Sequence, residues 1–181
     1  QVDVHDYREV DAPGAYDKLV SVGMFEHVGA ALLPDYFRQA YRLLKPGGVF
    51  LNHGIALSAD NPPIKGDSFI ARYVFPDGEL VPINTTLHAA EGSHFEVRDV
   101  ESLREHYALT LHHWVRNLEA NADAARRMTD DITYRIWRLY MSGSIYGFMT
   151  RQVNLYQTLL VKSGYGLSGL PLTRADWYAG Q

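Results

Sequence analysis

Apolar and polar positions follow two rhythms along this chain, and the switches between them outline the fold. Asp17-Lys18-Leu19-Val20-Ser21-Val22-Gly23 is a short apolar, β-branched run closed by glycine, the pattern of a buried parallel strand. Tyr36, Phe37, Ala40, Tyr41 and Leu44 then recur at helical spacing and predict a helix over 34–44. Lys45-Pro46-Gly47-Gly48 ends it with a cation followed by proline and glycine, and Val49-Phe50-Leu51-Asn52-His53 reads as the next buried strand. Strand, helix, turn and strand form a right-handed crossover unit of a parallel sheet.

Residues 57–91 are rich in Pro, Gly, Asn and Asp, and their weak periodicity supports only a short helix over 68–73. So long an excursion inside a compact domain is more often functional than idle. Phe95-Glu96-Val97-Arg98 predicts a strand, and Asp99 is placed to cap a long helix whose Leu103, Tyr107, Leu111, Trp114 and Leu118 share a face. A further helix is expected from Asp130 to about Ser142, with Ile132, Ile136, Leu139 and Tyr140 on one side. Residues 153–161 are the last strand, and 164–181 form a peripheral tail. The fold class is α/β with a parallel-rich sheet: one domain portion over 1–163, with the excursion acting as a lid and helices over about 99–148.

Ligands of such sheets bind beyond the carboxyl ends of the strands. Three segments fall there on this reading: Asp6-Tyr7-Arg8, Met24-Phe25-Glu26-His27 and His53-Gly54-Ile55. The chain also opens on what reads as a strand already under way, as a fragment would. Glu26 either caps the next helix or stands as a partly desolvated carboxylate that orients a reacting group, and such burial is costly unless the carboxylate is hydrogen-bonded. His53 meets the same test, and a Glu and a His on neighbouring strand ends point to one shared site.

Composition narrows the chemistry. The 181 residues suit one domain, and 17 Lys plus Arg against 21 Asp plus Glu argue against binding nucleic acid by bulk charge. No cysteine is present, which excludes disulfides and Cys-ligated zinc within this chain. His112 and His113 are adjacent, His106 lies six positions before His112, and no zinc, dinucleotide or P-loop motif occurs. No apolar run reaches the ~20 residues of a membrane span, and no signal segment is seen, so a cytoplasmic location is the expectation. Aromatic residues make up 12% of the chain and serve as core, as an apolar tunnel or as faces for a cation; the sequence leaves these open.

Several segments together resemble the cyclopropane-fatty-acid synthases and mycolic acid cyclopropane synthases. They are Ser21-Val22-Gly23-Met24-Phe25-Glu26-His27-Val28-Gly29, Leu44-Lys45-Pro46-Gly47-Gly48 and Leu51-Asn52-His53-Gly54-Ile55. Phe69 to Leu80, Asp99 to Ala108 and Arg138-Leu139-Tyr140 complete the set, so the likeness runs from about Asp6 to Lys162 in the family's order. It implies the C-terminal part of a Rossmann-like class I methyltransferase, with the glycine-rich cofactor loop lying upstream of this chain. By the resemblance, Asp6, Tyr7 and Arg8 lie against the adenine of S-adenosylmethionine. Glu26, His53, Ile55 and Tyr140 match the contacts of a bound bicarbonate that acts as base.

The implied reaction moves a methyl group onto a cis double bond of an unsaturated phospholipid or fatty acyl chain. It passes through a carbocation to a cyclopropane or a methyl branch. Two departures stand out: Gly54 replaces the family's usual threonine, and the bicarbonate-contacting cysteine would lie upstream. Two alternatives stay open, a small-molecule amine methyltransferase and a non-catalytic fragment. Arg126, Arg127, Arg135 and Arg138 suggest peripheral, transient contact with a membrane surface. A homodimer is also left open.

Overall fold

A computed structural model describes residues 2–61 and 68–179. Its centre is a four-stranded sheet in the order β1-β2-β4-β3, built from β1 (Tyr16–Val22), β2 (Leu44–Leu57), β3 (Glu96–Ser102) and β4 (Val153–Val161). β1 pairs with β2 in parallel, while β4 runs antiparallel between β2 and β3. Three strands therefore share one direction, but only one adjacent pair is parallel.

Alternation along β2 assigns the two faces. Phe50 belongs to a core with α1 (Leu33–Leu43), α3 (Ile83–Gly92), Phe95 and Leu160. Ile55 belongs to a second core with α4 (Arg104–Ala120), α6 (Asp131–Met149) and Leu155. Because the side-chain period of a strand is two, His53 lies on the Ile55 face and Asn52 and Gly54 on the Phe50 face. The short helices α2 (Phe69–Tyr73), α5 (Ala122–Met128) and α7 (Ala175–Tyr178) complete the described residues. None of the described helices is long and apolar enough to cross a membrane.

The crossover unit and the last strand form where the pattern placed them, but β1 is not the buried strand its apolar run predicts: it stands at the edge of the sheet, with Val20 and Val22 67% and 65% exposed. Other expectations are also corrected. The Lys45-Pro46-Gly47-Gly48 segment lies inside β2. The register jumps there from Tyr16–Leu44 to Lys18–Val49, and Gly47 takes φ +81° so that its N–H reaches the Lys162 carbonyl at 2.6 Å. Residues 2–15 form no strand; a 3-10 turn at Tyr7–Glu9 stands there instead. Within the excursion α3 is a full helix. Its buried positions are Thr86 and Ala90, so small a strip that no apolar periodicity marks it.

Asp99 does not cap α4. It sits within β3 opposite Leu159, and its side chain pairs with Arg174 of the tail. α6 runs seven residues past its expected end, to Met149, and its inward face is Tyr134, Met141, Ile145 and Phe148. Ile132 and Leu139 are 71% and 59% exposed, so the predicted face was rotated. Asp130 caps this helix as read, accepting from the Thr133 N–H at 2.7 Å.

Tyr36 ties the first core to β2. Its buried hydroxyl donates to Asn52 Oδ1 at 2.8 Å. Burial pushes its pKa up, opposed by the Ser21 hydroxyl and reinforced by the charge of Glu26. The native state thus keeps a proton that the unfolded chain releases near pH 10, the ordinary value. The stabilisation is complete below pH 10 and is lost as pH rises beyond it toward the folded pKa. Tyr36→Phe should flatten the alkaline limb of stability against pH, measured by urea unfolding at several pH values. It should also lower stability at neutral pH by about 1–3 kcal/mol, because the Asn52 amide oxygen loses its donor.

Candidate active site

β1 ends at Val22, and the next residue, Gly23, takes φ +65° and donates its N–H to the His53 carbonyl at 3.1 Å. The chain then turns through a 3-10 turn at Phe25–His27, with Phe25 buried in the first core and Glu26 turned beneath the neighbouring strand. Glu26 is 8% exposed. Its Oε1 accepts the Ile55 N–H at 2.7 Å, whereas its Oε2 is buried without a partner among the described residues.

The turn is held from outside by the excursion. Glu79 donates its N–H to the Glu26 carbonyl at 2.9 Å, and its carboxylate accepts the Ala30 N–H at 2.7 Å. Gly29, at φ +83°, lets the chain pass beside that carboxylate.

The opposite wall is aromatic. Tyr140 comes from α6 and Tyr107 from α4, and the Phe75 ring lies 5.6 Å from both the Tyr140 and the His27 ring centroids. Burial raises the pKa of Tyr140, the Ser144 hydroxyl opposes this, and the Glu26 charge adds to it. Tyr107 is also raised, first by burial and then by Tyr140 and Glu26. Glu26 is therefore electrostatically coupled to two phenol groups from two different helices. His53 sits on the same face of the sheet as Ile55, and its Nδ1 meets Gln157 Nε2 at 3.1 Å.

Of the residues singled out from sequence, Glu26, Ile55 and Tyr140 come together, with His53 beside Ile55 on β2. His53 and Ile55 lie within β2 and not beyond its end, because β4 pairs with that strand as far as Leu57. Asp6, Tyr7 and Arg8 form a separate cluster. Asp6 accepts the Arg8 N–H and pairs with its guanidinium, which holds the Asp6 carboxyl down at about 2. Tyr7 packs edge-on against Tyr36, 5.6 Å between centroids, and Tyr36 in turn contacts Phe25.

Tyr107, Phe75, Glu79 and Gln157 were not foreseen as part of the site. Tyr107 stood out only as one aromatic among many. Phe75 and Glu79 lie in the Phe69 to Leu80 segment that carries the resemblance but were given no role there, and Gln157 is brought in by strand register, which leaves no local signal. The arginines also look different in three dimensions: Arg126, Arg135 and Arg138 pair with Asp131, Asp131 and Glu119.

Comparison with known proteins fits this geometry. Residues 1–158 match the family model of mycolic acid cyclopropane synthetase. A probable fatty acid methyltransferase of Pseudomonas putida is 46% identical over 177 residues, covering 96% of this chain and 45% of the relative. The tuberculostearic acid methyltransferase of Mycobacterium tuberculosis is 34% identical, covering 91% of this chain and 39% of its own length. The chain thus spans less than half the length of these curated relatives.

Among solved structures, the cyclopropane synthase MmaA2 of Mycobacterium tuberculosis superposes with a TM-score of 0.79 at 27% identity, over 85% of this chain and 57% of that one. The mycolic acid cyclopropane synthase CmaA1, complexed with SAH and CTAB, gives 0.78 at 30% identity over the same shares. The fold is that of the class I S-adenosylmethionine-dependent methyltransferases, and the chain belongs to the mycolic acid cyclopropane synthetase family.

Proposed function

We propose that the protein is an S-adenosylmethionine-dependent C-methyltransferase acting on the cis double bond of an unsaturated fatty acyl or phospholipid chain. Its product is a cyclopropane or a methyl branch, formed when the carbocation loses a proton to bicarbonate as the base; the branched product then keeps a double bond. The observation that carries this reading is Glu26, a buried carboxylate with one oxygen on the Ile55 N–H and the other without a partner among the described residues. Such an oxygen is costly to bury alone and is suited to accept the O–H of a small protonated anion. Tyr140 and His53 supply groups that can donate to that anion's remaining oxygens. Glu26, His53, Ile55 and Tyr140 are therefore proposed as the bicarbonate site.

S-adenosylmethionine, when bound, supplies the electrophilic methyl group; Asp6, Tyr7 and Arg8 are proposed to lie on its adenine side. Bicarbonate, when bound, supplies a base of the strength needed to remove a proton from a carbocation. The chain's own residues do the rest. Glu26 orients the anion and keeps its protonated side fixed. The faces of Phe75, Tyr107 and Tyr140 favour positive charge on the acyl chain by about 0.5–2 kcal/mol each. The apolar surroundings of Tyr107 and Tyr140, which include Ile55 and Leu155, keep out water that would trap the cation as an alcohol.

The parent domain is read as one methyltransferase unit reaching residue 163, with the lid at 57–91, the helices at 99–148 and a peripheral tail. It would work in the cytoplasm, as a monomer or a homodimer, and meet the membrane surface transiently. Headgroup contact would fall to Arg127 and the exposed apolar positions of α6, since the other three arginines are paired.

The test uses the full-length protein with methyl-labelled S-adenosylmethionine and vesicles of an unsaturated phospholipid. Mass analysis of the released fatty acids should show labelled chains heavier by one methylene, whether the proton lost closes a ring or leaves a branched alkene. Label transferred only to small amines would instead favour the amine methyltransferase reading. Absence of calorimetric binding of S-adenosylmethionine would overturn both.

A further inference from the structure

His53 lies on β2 directly opposite Gln157 of β4 in an antiparallel register. Side chains at opposed positions emerge on one face with Cβ atoms roughly 4.5–5.5 Å apart, within reach of one another. The register is fixed on both sides: Leu155 is buried in the second core with the partly buried Ile55 packed against it, and the Thr158 hydroxyl donates to the Asn52 carbonyl at 3.2 Å. A slip by one residue would turn Gln157 to the other face.

The contact joins the amide nitrogen of Gln157 to His53 Nδ1 at 3.1 Å. An amide nitrogen can only donate, so Nδ1 accepts, and a neutral imidazole then carries its proton on Nε2. Nε2 takes no protein partner among the described residues. Glu26 hangs from the end of β1, on the side of β2 away from β4. With Nδ1 tied to β4, the free edge of the ring turns toward the side that holds Glu26. An anion seated there needs a donor and would be repelled by a bare ring nitrogen.

We propose that Gln157 is a positioning residue that fixes His53 in the Nε2–H tautomer, so that His53 offers a donor to the anion held by Glu26. The proposal rests on the reading of Glu26 and His53 as an anion site and adds what sets the state of the histidine. Gln157 does not touch the reacting atoms; it acts through His53.

The tautomer is measurable without any catalysis. Nitrogen NMR of the full-length protein labelled at histidine, with the His53 signals identified by their loss in His53→Gln, should show Nε2 protonated and Nδ1 bare in the neutral state. Gln157→Glu presents only acceptors and should move the proton to Nδ1; Gln157→Leu should give a mixture of both tautomers. In the lipid assay both variants should lower kcat by about tenfold or more while leaving KM for the lipid within about twofold. An Nδ1–H tautomer in the unmodified protein, or a spectrum unmoved by Gln157→Glu, would overturn the proposal. If the protein proves inactive on lipids, the proposed function fails, and the NMR result still decides the tautomer.

Discussion

Glu26→Gln should lower kcat on unsaturated lipid by about 10²–10⁴-fold, the range expected when a group that manages proton transfer is neutralised. The substitution keeps the shape of the side chain, and its amide oxygen can still accept the Ile55 N–H that Glu26 Oε1 holds at 2.7 Å. The turn, the fold and the affinity for S-adenosylmethionine should therefore persist, as thermal unfolding and calorimetry would establish. Glu26→Ala should behave differently: it orphans the Ile55 N–H and should cost about 1–3 kcal/mol of stability as well as activity. A second readout is independent of turnover. The Glu26 charge raises the pKa of Tyr107 and Tyr140, so both phenols should ionise at lower pH in Glu26→Gln, visible as an earlier rise in tyrosinate absorbance. Activity within a few-fold of the unmodified protein would remove Glu26 from the proton-handling role.

Gly54→Thr, which restores the residue usual in the resembled family, should destabilise this chain by about 1–3 kcal/mol. A Cβ added at Gly54 would stand 2.7 Å from Cδ1 of Phe25, and that ring is buried against Tyr36. The ring is not the free end of a flexible chain and has to move bodily. Phe25 directly precedes Glu26 on the same turn, so the displacement should also loosen the carboxylate. Activity should fall more than the loss of folded protein explains. Urea unfolding and steady-state kinetics on the same preparation separate the two effects. Phe25→Leu combined with Gly54→Thr should recover part of the stability, because the two positions share one space and their effects do not add. An unchanged unfolding midpoint in the single variant would mean that Phe25 has room the structure does not display.

The two predictions draw on different levels of information. Glu26 is legible in the chain: a carboxylate directly after an apolar, β-branched strand and its glycine is out of place as a core residue, and its surroundings in sequence carry the family resemblance. Gly54 is legible only as a departure from that resemblance. Why a glycine fits there follows from the ring of Phe25, which approaches β2 from the end of β1, 29 residues earlier in the chain. Sequence spacing has no means of expressing such a contact.

Where the chain's own periodicity is strong, it decides the structure. α1, the strand after Lys45-Pro46-Gly47-Gly48 and β4 follow from apolar runs or helical stripes, since burying those positions dominates the local energetics. β1 forms at its apolar run as well, but Val20 and Val22 stand 67% and 65% exposed, so pairing with β2 and not burial holds it. Asp130 announces the start of α6 for an equally local reason: its side chain closes the first turn. Where burial is narrow or shared between elements, only the assembled molecule decides. α3 hides behind Thr86 and Ala90, small residues chosen by its close packing and not by hydrophobicity. Asp99 looked like a cap and is a strand residue because pairing with β4 competes successfully with helix initiation. The inward face of α6 was misjudged because Ile132 and Leu139 are apolar yet exposed, and apolar character does not fix direction.

The same division runs through the site. The chain by itself determined a sheet with helices on both faces, a carboxylate on the turn after β1, a histidine and an isoleucine two apart on β2, and a tyrosine in a late helix. Tertiary structure alone decided that the carboxylate keeps one oxygen unpartnered among the described residues, that its charge reaches Tyr107 and Tyr140, that Phe75 packs between Tyr140 and His27, that Glu79 clamps its turn and that Gln157 meets the histidine. Those relations depend on strand register and on how two helices lie across a sheet, and both are set by packing between residues far apart in the sequence.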